Sequence, residues 1–365
     1  MAQAGNDVIH IAPDGDLTVL LNADNKITRY RVDRSTMLKY SRHFKASLDG
    51  RFKESQSDII NLFDDKIDGL EMFLRALHDN LADYQDELGA EDPVWWYIVM
   101  ACDKYEIDVR DGTNAITKRI RAFFSTCYNQ QMSPHQYTLN IKIARQLLFP
   151  TFIFDCASGF QHVTEYLAYN VDRHITELNP TEHYQLHLPH RVINQLNAAR
   201  GRLRTVLYAG IFDPIAGRFH ASCKCKAETT HNYEKTLIDL EVWPMHPWGF
   251  KDSIHTLLHC LRKFEYDPLC GRDAADVCMG CMHGDYKASV MQITEKVTCY
   301  FDGLCLDCMD RSKHKTRDED QDYWSHHSHG ILRKFGRSDG GCRISHGNPT
   351  WYHSFMGREE KKNVV

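Results

Sequence analysis

The sequence has no long apolar run. Its longest, Val94 to Cys102, is nine residues, about half of what a membrane-spanning helix requires. No membrane helix is expected. The opening stretch "MAQAGNDVIHIAPDGD" has neither a basic segment nor an apolar one, so it does not read as a secretory signal. Charge of one sign is not in excess either. Against 49 acidic residues stand 44 basic ones, a net charge of −5, too little to draw the chain to nucleic acid or an anionic membrane. The imbalance is local: residues 1–112 carry 22 acids and 13 bases, and the remainder is +4.

Catalytic signatures are missing as well. There is no Gly-x-Ser-x-Gly, no P-loop, no Gly-x-Gly-x-x-Gly after a strand and no His-Glu-x-x-His, the patterns that place a nucleophile, a phosphate cradle or a catalytic zinc. Cys156 and His162 stand six residues apart in an apolar stretch, which reads as core and not as a thiol nucleophile with its base. Enzymatic activity is not expected.

Cysteine is plentiful, yet the thirteen residues are an odd number, which argues against a fully paired disulfide framework. An intracellular chain, nuclear or cytoplasmic, keeps its thiols reduced. No strand–helix–strand pattern surrounds the Cys-x-x-Cys pairs, so a thioredoxin-like redox role is not indicated. Metal ligation and inert packing remain. Most of the cysteines lie at or after Cys223. Two Cys-x-x-Cys pairs, Cys278/Cys281 and Cys305/Cys308, flank 23 residues. Such pairs set two thiolates at the bite of a tetrahedral zinc ion. One structural zinc on Cys278, Cys281, Cys305 and Cys308 is the first allocation. Small buried thiols packed as hydrophobes are the alternative. A second, weaker set is Cys223, Cys225, Cys342 and His346, where Cys342-x-x-x-His346 has acceptable ligand spacing. The pairs can also combine crosswise, Cys305/Cys308 with Cys342/His346. Spacing alone leaves these allocations open.

Periodicity divides the chain into three regions. Residues 16–22 and 27–32 alternate as strands about an Asp/Asn turn. Ser35 and Ser41 suit the starts of two short helices, and residues 58–64 form a third strand. Asp68 and Glu71 have the spacing of a capping box ahead of Leu70, Phe73, Leu74 and Leu77. Pro93 opens a helix carrying Trp95, Ile98, Val99, Cys102 and Tyr105. Residues 113–212 read as helical, with Pro189 opening and Gly210 closing the last helix. Beyond them composition shifts toward Cys, His and Gly. The expected class is α+β: an N-terminal α+β domain at 10–112, a helical region at 113–212, and a Cys/His-rich, irregular, zinc-stabilised region at 213–358.

The stretch "RYRVDRSTMLKYSRHFKASLDGRFKESQSDIINLFDD" adds identity to this pattern. Its order of strand, Leu-bearing helix, Ser-x-x-Phe, Phe-x-Glu and strand resembles the BTB/POZ domain, with Asp16 opening the preceding strand. The matching residues are Asp16, Val32, Leu38, Ser41, Phe44, Phe52 and Glu54. All of them are read as structural. "LHDN" and "ACDKYEID" resemble the later helices of fungal members. The chain departs from the family at Asp33, where His is usual.

The resemblance implies an interaction module whose function lies in a surface: self-association, or docking on a cullin scaffold of ubiquitin ligases. Only about fifteen residues precede Asp16, so a monomer or weak dimer is expected. The leading reading is an adaptor that binds a protein partner. A nucleic-acid-binding regulator using the Cys/His-rich region and a purely self-associating structural module are the alternatives. Nucleic acid is disfavoured because the bases are interleaved with acids.

Overall fold

The computed structural model describes residues 8–23, 26–50, 56–84, 88–132, 139–220, 225–243, 252–265, 286–311 and 342–346, with backbone alone at 217–219, 308, 310 and 311. Phe52, Glu54, Cys223, Cys278 and Cys281 lie outside the described residues. The protein is of mixed α/β class. It forms two compact units, one drawn from residues 8–160 and 177–189, the other from 161–176 and 190–346. No helix among the described residues is long and apolar enough to cross a membrane.

The first unit is built on a four-stranded mixed sheet. Strands β1 (Val8–His10), β2 (Leu17–Ala23), β3 (Lys26–Val32) and β4 (Ile59–Phe63) lie in the order β1-β3-β2-β4. The β2–β3 hairpin is antiparallel, with Leu17 opposite Val32 and Ala23 opposite Lys26. β4 runs parallel to β2, and β1 parallel to β3. Period-two alternation sets the inner face: Leu17, Val19, Leu21, Tyr30, Val32, Ile60 and Leu62 are buried. Each such side chain contributes about 1.5–3 kcal/mol by leaving water.

Two short helices follow the hairpin. Asp33 caps α1 (Arg34–Tyr40), its carboxylate accepting the Thr36 N–H at 2.7 Å. Hydrogen bonds from Thr36 and Ser35 hold this carboxyl at about 2, below the ordinary 3.8. The N-cap is thus Asp33 and not Ser35, which instead donates its hydroxyl to Asp33. The Asp33 N–H donates to His78 Nε2 at 3.0 Å. Ser41 caps α2 (Arg42–Leu48) as expected.

α3 (Ile67–His78) buries Leu70, Met72, Phe73, Leu74 and Leu77. Its N-cap is Lys66, with no side-chain cap bond. The expected Asp68/Glu71 box is not formed, because Glu71 pairs with Arg75 one turn on, at 2.9 Å. A single 3-10 turn at Leu81–Tyr84 precedes α4 (Val94–Lys104), which buries Trp95 and Trp96. α5 (Ala115–Gln131) and α6 (Ile141–Ile153) are capped by Asn114 and Asn140. The boundary between the units falls within α7 (Ala157–Asn170).

The second unit is helical: α8 (His190–Phe219), α9 (Lys226–Asp239), α10 (Ile254–Leu261), α11 (Tyr286–Thr298) and α12 (Leu306–Arg311). Gly210 does not end α8, as glycine chemistry suggests, but lies inside it. A Cβ there would stand 2.1 Å from Ile293 Cγ1, so glycine allows α8 and α11 to meet closely. Tyr233 of α9 stacks on Tyr286 of α11 at 4.2 Å and donates its hydroxyl to the Ile211 carbonyl of α8 at 2.9 Å. Tyr169 of α7 donates to the Val297 carbonyl of α11 at 2.8 Å. The region expected to be irregular therefore contains four helices among its described residues.

Candidate functional site

The segment that leads into α12 is pressed against α7. Gly303 has φ of +86°, and a Cβ there would lie 2.1 Å from the Gln161 carbonyl oxygen. Only glycine tolerates both conditions. The next residue, Leu304, donates its N–H to Thr164 Oγ1 at 2.8 Å. Cys305 follows as the N-cap of α12, its carbonyl accepting the Met309 N–H at 3.0 Å. Cys308 is the third residue of the same helix.

A second limb, residues 342–346, is held from two sides. Gln161 Nε2 donates to the Ser345 carbonyl at 3.1 Å. Asp307 receives the Arg343 backbone N–H at 2.7 Å and its guanidinium at 2.8 and 2.9 Å. Gln161 and Thr164, three residues apart on α7, thus position both limbs.

The outcome is a cluster of Cys305, Cys342 and His346 whose ligand atoms all lie within 4.8 Å of one another. Cys305 is buried and Cys342 half-buried. These residues can hold a metal ion. Tetrahedral zinc bonds of about 2.0–2.3 Å place ligand atoms roughly 3.5–3.8 Å apart, so shifts of about an ångström bring all three onto one ion. Two thiols and an imidazole are donors suited to zinc and disfavoured by magnesium or calcium. No disulfide joins any described cysteines.

Of the expected ligands, the fold thus gathers Cys305 with Cys342 and His346, three of the four residues of the crosswise combination, and the Cys308 side chain lies outside the described residues. Cys225 is apart from this cluster: it stands at the N-cap of α9, its carbonyl accepting the Thr229 N–H at 3.0 Å. Cys278 and Cys281 are outside the described residues, as is Cys223. Gln161, Thr164, Asp307 and Arg343 were not legible as site residues. Asp307 lies between two cysteines, but the partners of the other three are distant in sequence. Cys156 is buried, and burial lowers the pKa of His162.

Of the motif residues, Val32, Ser41 and Phe44 lie in the interior of the first unit. Asp16 accepts the Arg34 N–H at 2.8 Å, joining the start of β2 to α1. Val32 and Phe44 are buried, whereas Leu38 is half-buried and its neighbour Met37 takes the core position. The Ser41 hydroxyl donates to the Tyr105 carbonyl at 2.8 Å. The Tyr105 ring stacks between Phe44 and Phe73 at 4.8 and 5.1 Å. Its hydroxyl donates to Asp65 at 2.7 Å, and Lys104 salt-bridges the same carboxylate at 2.8 Å. Desolvation and the Asp65 charge push the Tyr105 phenol far above its ordinary value.

The outer face of the sheet has a different character. One row across it reads Ile27, Asn22, Phe63, and another Val8, Arg29, Leu20, Asn61. A third reads His10, Arg31, Thr18, Ile59. Phe63 is 56% exposed, Ile27 51% and Ile59 47%. Four of the eight exposed large hydrophobics among the described residues stand on this face, counting Val8. Its outward positions bear Arg29, Arg31 and His10 but no carboxylate. A basic, apolar surface is unusual on a domain whose first 112 residues carry a charge of −9. Comparison with protein-family models, curated proteins and solved structures finds no match for this chain.

Proposed function

We propose that the protein is an interaction adaptor: its first unit docks a protein partner, and its second is a helical scaffold stapled by zinc. The role is binding and not catalysis, in an intracellular setting that keeps the thiols reduced. The observation that carries the docking is the outer sheet face. Exposed Ile27, Ile59 and Phe63 offer apolar area, and Arg29 and Arg31 select a partner with acidic residues. Two copies of this face would bring like charges together, which favours a monomer or weak dimer over tight self-association. The BTB/POZ resemblance supports an interaction role, and the element order of hairpin, two helices, strand and helices accords with it. A cullin scaffold is the partner class that the resemblance implies.

The zinc reading rests on the donor set of Cys305, Cys342 and His346. An ion there would tie α12 to the 342–346 limb and supply folding energy to a unit with short elements.

The docking is tested by placing a photo-crosslinking residue at position 63 of the full chain in cells, with the more exposed position 184 as a control. Tyr184 is 84% exposed. A stoichiometric protein adduct at 63 and none at 184 is expected, with mass spectrometry identifying a cullin or another acidic partner. Equal labelling at the two positions, or no adduct at 63, contradicts the proposal.

A further inference from the structure

We propose that a cleft in the first unit takes an arginine side chain of a protein partner, a binding site in addition to the outer sheet face. The cleft lies where β4 turns into α3 and where α4 ends, and Gln185 and Leu186 form its far wall. Its volume is about 240 Å³. Pockets that enclose a cofactor-sized ligand measure roughly 300–1,000 Å³, so a single long side chain is the better fit. Leu70, Tyr97, Met100 and Leu186 give it apolar surface. The far wall is braced. Asn179 Nδ2 donates to the carbonyls of His183 and Leu186 at 2.9 and 3.0 Å, and the His183 ring meets the Tyr97 ring edge-on at 6.5 Å.

The charge of the lining selects a cation. Asp65 is the anchor, its side chain only 5% exposed. One of its oxygens, Oδ2, receives both the Lys104 ammonium at 2.8 Å and the Tyr105 hydroxyl at 2.7 Å. The other, Oδ1, accepts no hydrogen bond among the described residues and is still reached by solvent. It is the acceptor left for a ligand in the cleft that Asp65 lines, and an unpaired acceptor in so buried a group favours a donor that pairs with it. Exposed Asp64 and Asp103 stand at the mouth. The Lys104 ammonium is already engaged by Asp65 and the Phe63 carbonyl, so among the described lining residues Lys66 alone offsets these two carboxylates. A guanidinium suits the place better than an ammonium. It is planar, more weakly hydrated and stacks on an aromatic face such as Tyr97, while its stem covers the apolar wall.

The test uses the full chain labelled with carbon-13 at its methionine methyl groups and titrated with N-acetyl-arginine amide at millimolar concentrations. Met100 lines the cleft and is assigned by Met100→Leu, whereas Met72 is buried in α3 and reports the fold of the same unit. The Met100 methyl signal is expected to shift and saturate while Met72 stays in place. N-acetyl-leucine amide should leave Met100 unmoved. Asp65→Asn, which keeps the shape and removes the charge, should abolish the saturable shift with Met72 unchanged. Asp103→Asn at the mouth should weaken binding about two- to fivefold, as loss of an exposed ion pair does, and decides the matter where Asp65→Asn disturbs Met72. Glu106→Gln, an exposed acid outside the cleft, should bind as the wild type does. No saturable shift at Met100, an equal response to the leucine amide, or unchanged binding in Asp103→Asn overturns the proposal, and equal affinity for N-acetyl-lysine amide overturns the assignment to a guanidinium.

Discussion

Arg343 grips Asp307 with three donors at once: its backbone N–H at 2.7 Å and its guanidinium nitrogens at 2.8 and 2.9 Å. The Asp307 side chain is only 15% exposed, so the pair is screened less than a surface ion pair. Arg343 adjoins Cys342, and Asp307 lies two residues after Cys305, so the contact brings Cys305 toward Cys342 and His346 before any ion binds. Supporting contacts of this kind commonly change metal affinity by 10–100-fold. Asp307→Ala is therefore expected to weaken zinc binding by about 10–100-fold without changing stoichiometry at saturating zinc. Competition with a chromophoric chelator measures it, and wild-type affinity in the variant would show that the contact does not position the site.

Ser41 has two duties in the first unit. Its hydroxyl oxygen accepts the Phe44 N–H that opens α2, and its proton goes to the Tyr105 carbonyl. Both partners are buried, so truncation leaves polar groups unpaired. Ser41→Ala is expected to cost about 1–3 kcal/mol, the sum of a lost cap and a buried hydrogen bond. Urea unfolding followed by tryptophan fluorescence, to which Trp95 and Trp96 of the first unit contribute, reads it; a change within a few tenths of a kcal/mol would contradict the bridging role.

Gly210 lets α8 and α11 approach. A side chain at 210 meets Ile293 at its Cγ1, Cδ1 and Cβ, so the collision is with a side chain that can be shortened. Gly210→Ala is expected to destabilise the second unit by about 1–3 kcal/mol, as overpacking does. Ile293→Ala added to it should recover part of the loss, a coupling visible in a double-mutant cycle. Purely additive effects would mean that the helices do not meet there.

Asp33 makes stability depend on pH in acid. Its folded-state pKa of about 2 lies below the ordinary 3.8. A carboxyl depressed in this way stabilises the fold above its unfolded value and loses that contribution as pH falls from about 4 toward 2. Asp33→Asn keeps the cap but does not titrate. The stability of the wild type should therefore fall relative to this variant as pH drops from about 5 to about 2, measured by chemical unfolding at each pH. A constant difference would show that the Asp33 carboxylate is not favoured by the fold.

Much of the first unit was legible because its signals are local. Alternation in β2, β3 and β4 and the Ser41 cap are set by neighbours within a few residues. β1 escaped notice because "VIH" is three residues long and owes its conformation to pairing with β3. Met37 and Leu38 are adjacent apolar residues, and only the packing of α1 decides which one faces the core. Gly210 carries the same letter whether it ends a helix or permits a close approach, and the deciding atom belongs to Ile293. The site was legible as residue types but not as partners. Sequence spacing favoured Cys305/Cys308 with Cys278/Cys281 and left Cys342/His346 as an alternative partner. What gathers Cys305, Cys342 and His346 is a set of bonds from Gln161 and Thr164 to backbone groups at 345 and 304, separations of more than 130 residues that leave no local pattern.

The most direct test of the zinc-stapled adaptor is native mass spectrometry of the full chain, purified anaerobically without added metal. The account predicts a monomer or weakly populated dimer carrying zinc, with loss of the ion on chelation accompanied by expansion of the charge-state distribution as the second unit loosens. A metal-free, compact chain with all its thiols reduced would contradict it, and would leave Cys305 and Cys342 as packing residues.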